Sequence, residues 1–187
     1  MKALTLTQPW ATLVAIGAKK IETRSWNTSY RGPLAIHAAK GFPAWAKDIC
    51  LTEPFFSVLR SENLAGVGTG NGWLADFPLG AIVATCELVH VKQIDELTHF
   101  PACRAFAWQK RLWKLETQER AFGDYSMGRF MWLLENVVVL PEPIPAKGAL
   151  SLWECGLTPH APDKSGLAPT LAEYHKSVLS TPSSEPF

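Results

Sequence analysis

The spacing of the short strand candidates restricts the fold of this chain more than any other feature of its sequence. Apolar, β-tolerant runs are separated by prolines, glycines and helical segments of unequal length, without the strand–helix alternation of a doubly wound sheet. The spacing therefore predicts an α+β fold, a mixed β-barrel with flanking helices. The expected strands cover residues 3–6, 21–26, 34–38, 80–91, 130–140 and 149–155, and Pro141, Pro143 and Pro145 are expected to end the fifth.

Helical patterns fill three of the intervals between the strands. Pro9 suits the first turn of a helix, and Gly17 suits its left-handed end. Residues 43–60 predict helical pieces, and residues 101–120 predict a helical insertion on the barrel. Residues 63–72 contain four glycines, which is typical of a mobile loop.

The chain has the length and composition of one soluble domain with a tail. Its 187 residues suit a single core, and 47% hydrophobic with 19% charged residues is ordinary for a globular protein. After Gly156 the sequence becomes rich in proline, serine and threonine. We expect a domain over residues 1–156 and a tail over residues 157–187 that is wrapped on the surface or partly disordered.

The net charge, the absence of apolar targeting patterns, and the spacing of the cysteines and histidines restrict the kinds of ligand and partner that we expect. A formal net charge of +1 argues against coating a long nucleic acid and favours a locally bound nucleotide or short single strand. No signal-peptide pattern opens the chain and no apolar run approaches a membrane span, so we expect a cytoplasmic protein that makes no membrane contact. The four cysteines and five histidines lack metal-ligand spacing, so we expect reduced thiols, no metal and no cofactor.

A charged strand face supplies the candidate site. In the predicted strand 21–26, Glu22, Arg24 and Trp26 share one side, and Thr23 lies on the other. Glu22 and Arg24 can pair, which would fix the guanidinium for a phosphate or a base edge. Lys19 can hold a phosphate, or act as a base if burial lowers its pKa from about 10.4.

Aromatic side chains offer stacking surfaces for a base. The candidates are Trp10, Trp26, Tyr125 and Trp132. Aromatic faces stack on bases, but they also fill cores. We expect Trp10 and Trp132 mainly in the core, with Trp26 and Tyr125 at the mouth of the barrel.

Three further polar residues have two interpretations each. Gln8 reads a base edge through its amide or caps the first helix. Arg129 contacts a second phosphate or is a surface arginine. His37, inside an apolar strand, is interpreted as a core histidine rather than a ligand to a metal.

Three blocks in the first 40 residues resemble one known family. Residues 4–11 (LTLTQPWA), 17–26 (GAKKIETRSW) and 30–38 (YRGPLAIHA) have the order and spacing of the ASCH domain family. Residues 122–133 (FGDYSMGRFMWL) resemble that family's late strand and the turn before it. Together the blocks bracket roughly residues 1–155 and leave the tail outside the resemblance.

The resemblance implies a PUA-like mixed β-barrel of the ASCH type with a cleft beside the motif G-x-K-x-x-E-x-R. In this sequence the motif is Gly17, Lys19, Glu22 and Arg24. Members are regarded as RNA-associated, and some small bacterial members hydrolyse the acetyl amide of N4-acetylcytidine. Their lysine carries over to Lys19, but their hydroxyl residue corresponds here to Glu22, which removes the obvious nucleophile.

Three functions remain open from the sequence. The first is a module that binds RNA or a modified nucleoside or nucleotide through Lys19, Arg24 and aromatic stacking. The second is a hydrolase acting on N4-acylated cytidine or on RNA, in which Glu22 activates a water and Lys19 stabilises the oxyanion, Thr23 being a poor substitute nucleophile. The third is an interaction protein that engages a protein partner through residues 101–120 or the tail.

Overall fold

Six strands form one mixed sheet in the computed structural model, which describes residues 1–61, 73–95 and 117–158. The strands are β1 (Lys2–Leu6), β2 (Ile21–Arg24), β3 (Gly32–Ala38), β4 (Ala81–Gln93), β5 (Phe130–Pro145) and β6 (Leu152–Glu154). Their order in the sheet is β2-β5-β4-β3-β1-β6. Only the β1–β3 pairing is parallel among these strands; the other four pairings are antiparallel. The sheet confirms the predicted α+β class.

Short helices connect the strands. They are α1 (Trp10–Ala15), α2 (Ala44–Ile49), α3 (Phe55–Ser61), a 3₁₀ turn (Trp73–Asp76) and α4 (Thr117–Ala121). Gly17 follows α1 with φ +75°, the left-handed conformation expected at the end of that helix. The predicted mobile loop, residues 101–116 of the predicted insertion and nearly all of the predicted tail lie outside the described residues.

One long-range hydrogen bond shows that the sheet curls into a half-barrel. Arg24 on β2 donates from Nη2 to the carbonyl oxygen of Thr5 on β1 at 2.9 Å. Three strands separate β2 from β1 in the sheet, so four strand spacings would put them about 19 Å apart if the sheet were flat. That separation is much greater than an arginine side chain spans. The sheet therefore bends back until its β2 edge faces β1.

Two apolar clusters hold α1 between the sheet and the other helices. Ala11 and Val14 pack with Leu34 and Trp132 on the inner face of the sheet. Leu13, on the other side of α1, packs with residues of the helical segments and of the chain after α4: Cys50, Phe55, Leu59, Trp73, Phe77 and Phe122. Because α1 is fixed on both sides, the residues that flank it have defined positions.

The prediction that three prolines end β5 at Leu140 was wrong, because the strand continues to Pro145. Beyond Leu133, within the described residues, β5 pairs with β4 alone, so its other edge needs no ladder donors. Ala146 donates its N–H to the carbonyl oxygen of Gly80 at 3.0 Å, so alternation directs the missing donors of Pro143 and Pro145 to the opposite edge, whereas Pro141 lies where the β4–β5 register is irregular. Proline is tolerated on such an edge.

Residues Met1–Leu157 form one compact unit. A hydrogen bond joins the two ends of this unit, because the amino group of Met1 donates to the carbonyl oxygen of Leu157 at 2.9 Å. The division into a domain and a tail at residue 156 stays a prediction, since residues 159–187 are not described.

Candidate functional site

A cavity of about 420 Å³ opens where β2 faces the end of β1. It exists because the sheet curls there and no further strand of the described residues closes the gap. Its walls come from β1 and the residue after it, from α1, β2 and α2, and from the chain that follows α4. The lining residues are Thr5, Leu6, Thr7, Trp10, Glu22, Thr23, Arg24, Trp45, Ala121, Phe122, Gly123 and Asp124.

The three charged motif residues lie together beside this cavity. Glu22 Oε1 is 3.1 Å from Arg24 Nε, and Glu22 Oε2 is 3.7 Å from Lys19 Nζ. Glu22 and Arg24 line the cavity, whereas Lys19 is fully buried behind it and donates to the carbonyl oxygen of Ile21 at 2.6 Å. Burial lowers the pKa of Lys19, and the carboxylates of Glu22 and Glu119 act in the opposite direction.

A glycine separates the Lys19 ammonium from the cavity. A side-chain carbon added to Gly123 would lie 3.3 Å from Lys19 Nζ, 3.2 Å from Thr23 Cγ2 and 2.8 Å from the Tyr125 ring. Gly123 is therefore a position where the wall has no room for a side chain. Glycine is required at position 123 because the neighbouring atoms pack closely against it, and not because its backbone is left-handed.

Residues 117–129, which we call the strap, run along the outer edge of β2. Glu119 of the strap accepts hydrogen bonds from the backbone N–H groups of Lys20 (2.8 Å) and Ile21 (3.2 Å) and from the hydroxyl of Tyr125 (3.3 Å). Glu119 is buried, and its burial raises its pKa while the two N–H donors and Lys19 oppose that shift. Sequence reasoning missed Glu119, which looks like one of several charges in a surface helix.

The strap also holds the far end of β2. Asp124 donates its backbone N–H to Thr23 Oγ1 at 3.1 Å, and Arg129 donates from Nη2 to the carbonyl oxygen of Thr23 at 3.2 Å. Arg129 Nε lies 3.3 Å from Asp124 Oδ2, so Arg129 links two parts of the strap to β2, and it is not among the cavity-lining residues. Thr23 was expected to face away from the site, but it lines the cavity because the strap wraps around the edge of β2.

Two tryptophans contribute to the cavity wall. Trp10 is half-buried and donates from Nε1 to the carbonyl oxygen of Phe122 at 2.9 Å. Its ring centroid is 5.8 Å from that of Trp45, with 43° between the ring planes. Trp45 is 59% exposed. The sequence predicted only that Trp45 lies in a helical segment. In the structure the Trp45 side chain is exposed, whereas that of its neighbour Ala46 is buried.

The other predicted aromatic contacts lie away from the cavity lining. Trp26 packs edge-on against the fully buried Trp132, with centroids 4.6 Å apart. Tyr125 is half-buried with its hydroxyl on Glu119. Neither ring is among the lining residues, so the structure brings Trp10 to the cavity and leaves Trp26, Tyr125 and Trp132 outside it.

Gln8 and His37 are buried residues with contacts of their own. Gln8 donates from Nε2 to the carbonyl oxygen of Pro78 at 2.9 Å and accepts from the backbone N–H of Thr12 at 3.1 Å, so both ends of its amide are used. His37 is buried in β3, with Nε2 3.0 Å from the carbonyl oxygen of Ala146. Neither residue lines the cavity.

The described residues contain no group of three or more histidine, cysteine, aspartate or glutamate side chains able to hold a metal ion. Burial raises the pKa of the Cys50 and Cys86 thiols to about 12, so both are neutral at physiological pH. No helix in the described part of the chain is both long and apolar enough to cross a membrane.

One comparison with known proteins identifies the family of this chain. The family model of the ASCH domain matches residues 4–126, about two thirds of the chain. Activating signal cointegrator 1 from Mus musculus and from Homo sapiens are each 26% identical over 167 residues, or 88% of this chain. The chain spans about a quarter of the length of these relatives, 24% of each.

One solved structure is similar over nearly the whole chain. It is the crystal structure of a mutant of the ZmASCH protein from Zymomonas mobilis, with 13% sequence identity and a TM-score of 0.41. The alignment covers 96% of both chains.

Proposed function

This chain belongs to the ASCH domain family, and we propose that its cavity binds a nucleobase presented by single-stranded RNA or by a modified nucleoside. The observation that carries the proposal is a cavity of about 420 Å³ with the paired Glu22 and Arg24 on one wall and Trp10 and Trp45 on another. Its volume lies within the roughly 300–1,000 Å³ of small-molecule sites. Planar rings and a paired charge suit a flat ligand with a polar edge.

The two tryptophans have different roles in this proposal. Trp10 is held by its hydrogen bond to Phe122 and by an edge contact with Phe55, with centroids 5.9 Å apart. Trp45 leaves most of its surface exposed to the incoming ligand. Trp10 therefore provides a fixed wall, and Trp45 provides the accessible ring face on which a base stacks, a contact that contributes about 1–3 kcal/mol.

The charged residues favour one kind of base edge. Glu22 presents an acceptor carboxylate, and carboxylates recognise bases through exocyclic amines such as that of cytosine. Arg24 lies beside it as a donor for a carbonyl or phosphate oxygen. Lys19 is fully buried, so it acts on the ligand through Glu22 rather than by direct contact. The ligand is thus expected to offer a donor and an acceptor side by side.

Binding to a fluorescently labelled five-nucleotide RNA, followed by anisotropy, tests this proposal. Trp45→Ala is expected to weaken the affinity by about 5- to 150-fold, the loss of one stacking contact. Phe56→Ala is the matched control, because Phe56 is also exposed but does not line the cavity. The proposal fails if the wild-type protein shows no saturable binding to the RNA or to N4-acetylcytidine, or if both variants lose the same affinity.

A hydrolase is the second candidate function, and one observation favours it. Lys19, whose pKa is lowered by burial, lies 3.7 Å from a carboxylate that lines the cavity, and shifted ionisable groups in clefts are typical of catalytic sites. In this alternative Glu22 takes a proton from a water that attacks the acyl carbon of an N4-acylated cytidine, the C–N bond breaks, and Glu22 returns the proton to the departing amine. On RNA the water attacks phosphorus, a P–O bond breaks, and the proton goes to the departing ribose oxygen. Thr23 also lines the cavity, with its Oγ1 accepting from the backbone N–H of Asp124.

Product analysis separates the two functions. Purified protein is incubated with N4-acetylcytidine and with end-labelled RNA, and the products are resolved by chromatography. Turnover that is lost in Glu22→Gln and kept in Glu87→Gln supports a hydrolase, since Glu87 pairs with Asn136 away from the cavity. Absence of turnover in the wild-type protein excludes hydrolysis of these two substrates.

A protein partner remains a separate prediction. It depends on residues 101–120 and the tail, of which only residues 117–120 and 157–158 are described. The relatives' name, activating signal cointegrator 1, is that of proteins about four times as long as this chain. The proposals made for this chain depend on its family and on its own cavity, and not on the activity of those longer proteins.

A further inference from the structure

The outer edge of β2 is held by side chains where a further strand would otherwise lie. β2 pairs with β5 on one side, and it ends the order of the described sheet. On the other side Glu119 accepts from the N–H groups of Lys20 and Ile21, and Asp124 and Arg129 contact Thr23. A short edge strand without such contacts would be free to move relative to the cavity.

The Glu119 contacts fall between the two motif residues that flank them. Lys20 and Ile21 separate Lys19 from Glu22 in the chain, and Lys19 Nζ donates to the carbonyl oxygen of Ile21 at 2.6 Å. The backbone at Ile21 is therefore held from its N–H by Glu119 and from its carbonyl by Lys19. A displacement of Glu119 would move both Lys19 and Glu22.

We propose that Glu119 is a positioning residue for the cavity: it accepts from the backbone N–H groups of Lys20 and Ile21, so it holds the segment between Lys19 and Glu22, and it adds a second carboxylate to the cluster around the Lys19 ammonium. With Lys19 protonated, Glu22 stays paired with it at the cavity wall. The part of this inference that concerns ligand binding rests on the proposed function, whereas the part that concerns Lys19 does not.

The charge balance of the cluster explains why a second carboxylate is needed. Two cations, Lys19 and Arg24, lie among two anions, Glu22 and Glu119. Arg24 also shifts the Lys19 proton equilibrium toward the neutral amine, in the same direction as burial. Glu22 alone would have to offset both effects, so removing Glu119 is expected to lower the pKa of Lys19 further.

Tyr125 and Arg120 are the other groups that act on this cluster. The Tyr125 hydroxyl donates to Glu119, and burial together with Glu119 raises the pKa of that hydroxyl, so it remains a neutral donor. Arg120 acts in the opposite direction on Tyr125. Tyr125 therefore favours the ionised form of Glu119, which gives a second and milder way to perturb the cluster.

The first test is the pKa of Lys19, measured from the ¹³Cε shift of labelled lysines, with the Lys19 signal assigned by its loss in Lys19→Arg. Glu119→Gln keeps the size of the side chain and removes its charge. We expect the pKa of Lys19 to fall by about one unit, a ten-fold shift of its proton equilibrium. Glu87→Gln, which removes a carboxylate outside the cavity, is expected to leave it unchanged.

The second test is binding of the labelled five-nucleotide RNA as a function of pH. As the pH is raised, we expect Glu119→Gln to lose its affinity for the RNA at a lower pH than the wild-type protein does. Acidification is expected to restore that affinity. A variant that had only lost packing would not recover its affinity in this way. If Glu119→Gln does not fold, Tyr125→Phe replaces it and is expected to raise the pKa of Glu119, read from its ¹³Cδ shift.

The outcomes separate the two proposals. A Lys19 pKa that is the same in Glu119→Gln and wild type overturns the positioning role, as does a Glu119 pKa unmoved by Tyr125→Phe. A lowered Lys19 pKa in a protein that binds neither the RNA nor N4-acetylcytidine leaves Glu119 as the positioning residue and overturns the proposed function instead.

Discussion

The two edges of the sheet both carry ion pairs, but those pairs lie in different surroundings. At the β6 edge, Glu154 is 2.8 Å from Lys2 Nζ and 3.5 Å from the amino group of Met1, and its side chain is 65% exposed. At the β2 edge, the side chains of Lys19 and Glu22 are 0% and 10% exposed. An exposed pair contributes little to stability, whereas breaking a buried pair leaves an uncompensated charge.

This difference bears on why the β2 edge carries charges at all. Buried ion pairs are often no more stabilising than apolar residues of the same size. Stability alone therefore does not explain four charged side chains clustered beside the cavity. Their position next to an open cavity is what the proposed recognition of a ligand requires, and the exposed charges of the β6 edge serve as the reference for this comparison.

The largest effect is expected for Lys19→Met, which removes the buried cation and leaves Glu22 and Glu119 without it. We expect the free energy of unfolding to fall by about 3–5 kcal/mol. Urea unfolding followed by circular dichroism measures it. Lys2→Met at the β6 edge is the control and is expected to give no measurable change. Equal losses in the two variants would remove the distinction between the edges.

A smaller effect is expected for Gly123→Ala in the strap. The added methyl group would lie 2.8 Å from the Tyr125 ring and 3.2 Å from Thr23 Cγ2, so one of these groups has to move. Overpacking of this kind costs about 1–3 kcal/mol. Thermal unfolding tests it against Gly41→Ala, since a methyl group at Gly41 meets nothing within 4 Å. If Gly41→Ala destabilises as much, the strap is not closely packed on β2.

The pH dependence of stability is expected to differ between the edges. The pKa of Lys19 is lowered in the folded protein, so between that value and about 10.4 the unfolded chain binds a proton that the folded chain lacks. The contribution of Lys19 to the free energy of unfolding therefore rises with pH in this window, by at most about 1.4 kcal/mol per pH unit. At pH values below the pKa of Lys19 in the folded protein, the full cost of burying the charged ammonium is present.

Urea unfolding between pH 7 and pH 9.5, compared in wild type and Lys19→Met, measures this contribution. The comparison cancels the buried thiols of Cys50 and Cys86, whose raised pKa of about 12 makes stability fall as pH rises. Lys2→Met is expected to follow the wild-type curve. A wild-type curve parallel to that of Lys19→Met over the whole window would show that Lys19 keeps an ordinary pKa.

The smallest effect is expected for Glu154→Gln, which removes both ion pairs of the β6 edge. Because the carboxylate is exposed and screened by salt, the midpoint of thermal unfolding is expected to match that of the wild-type protein at 0.15 M salt, about the physiological ionic strength. Calorimetry at low and high salt checks this. A loss comparable to that of Lys19→Met would show that exposure does not set the strength of these pairs.

The local parts of the fold followed from the sequence. Alternation placed Glu22 and Arg24 on one face of a strand, and the structure has them 3.1 Å apart. Gly17 marked the end of α1 because only a local backbone preference is involved. The predicted end of β5 at its prolines was wrong. A proline lacks a backbone N–H, and this matters only if a neighbouring strand lies on the side to which that N–H would point.

The missing parts of the site were those that distant segments bring together. Glu119 contacts residues 98 and 99 positions earlier in the chain, and Trp45 meets Trp10 across two helices. No pattern in either segment marks these contacts. Trp26, which shares the predicted face with Glu22 and Arg24, packs on Trp132 because the core lies at that end of β2.

The sequence by itself determined the approximate positions of the strands, the end of α1 and the charged pair on β2, because each depends on residues within a few positions of one another. Only the tertiary structure decided where a cavity forms and which side chains line it. The cavity requires the sheet to curl until Arg24 bonds to Thr5, and it requires the strap to close on the β2 edge. Both depend on the packing of segments that are distant in sequence, which short-range periodicity does not encode.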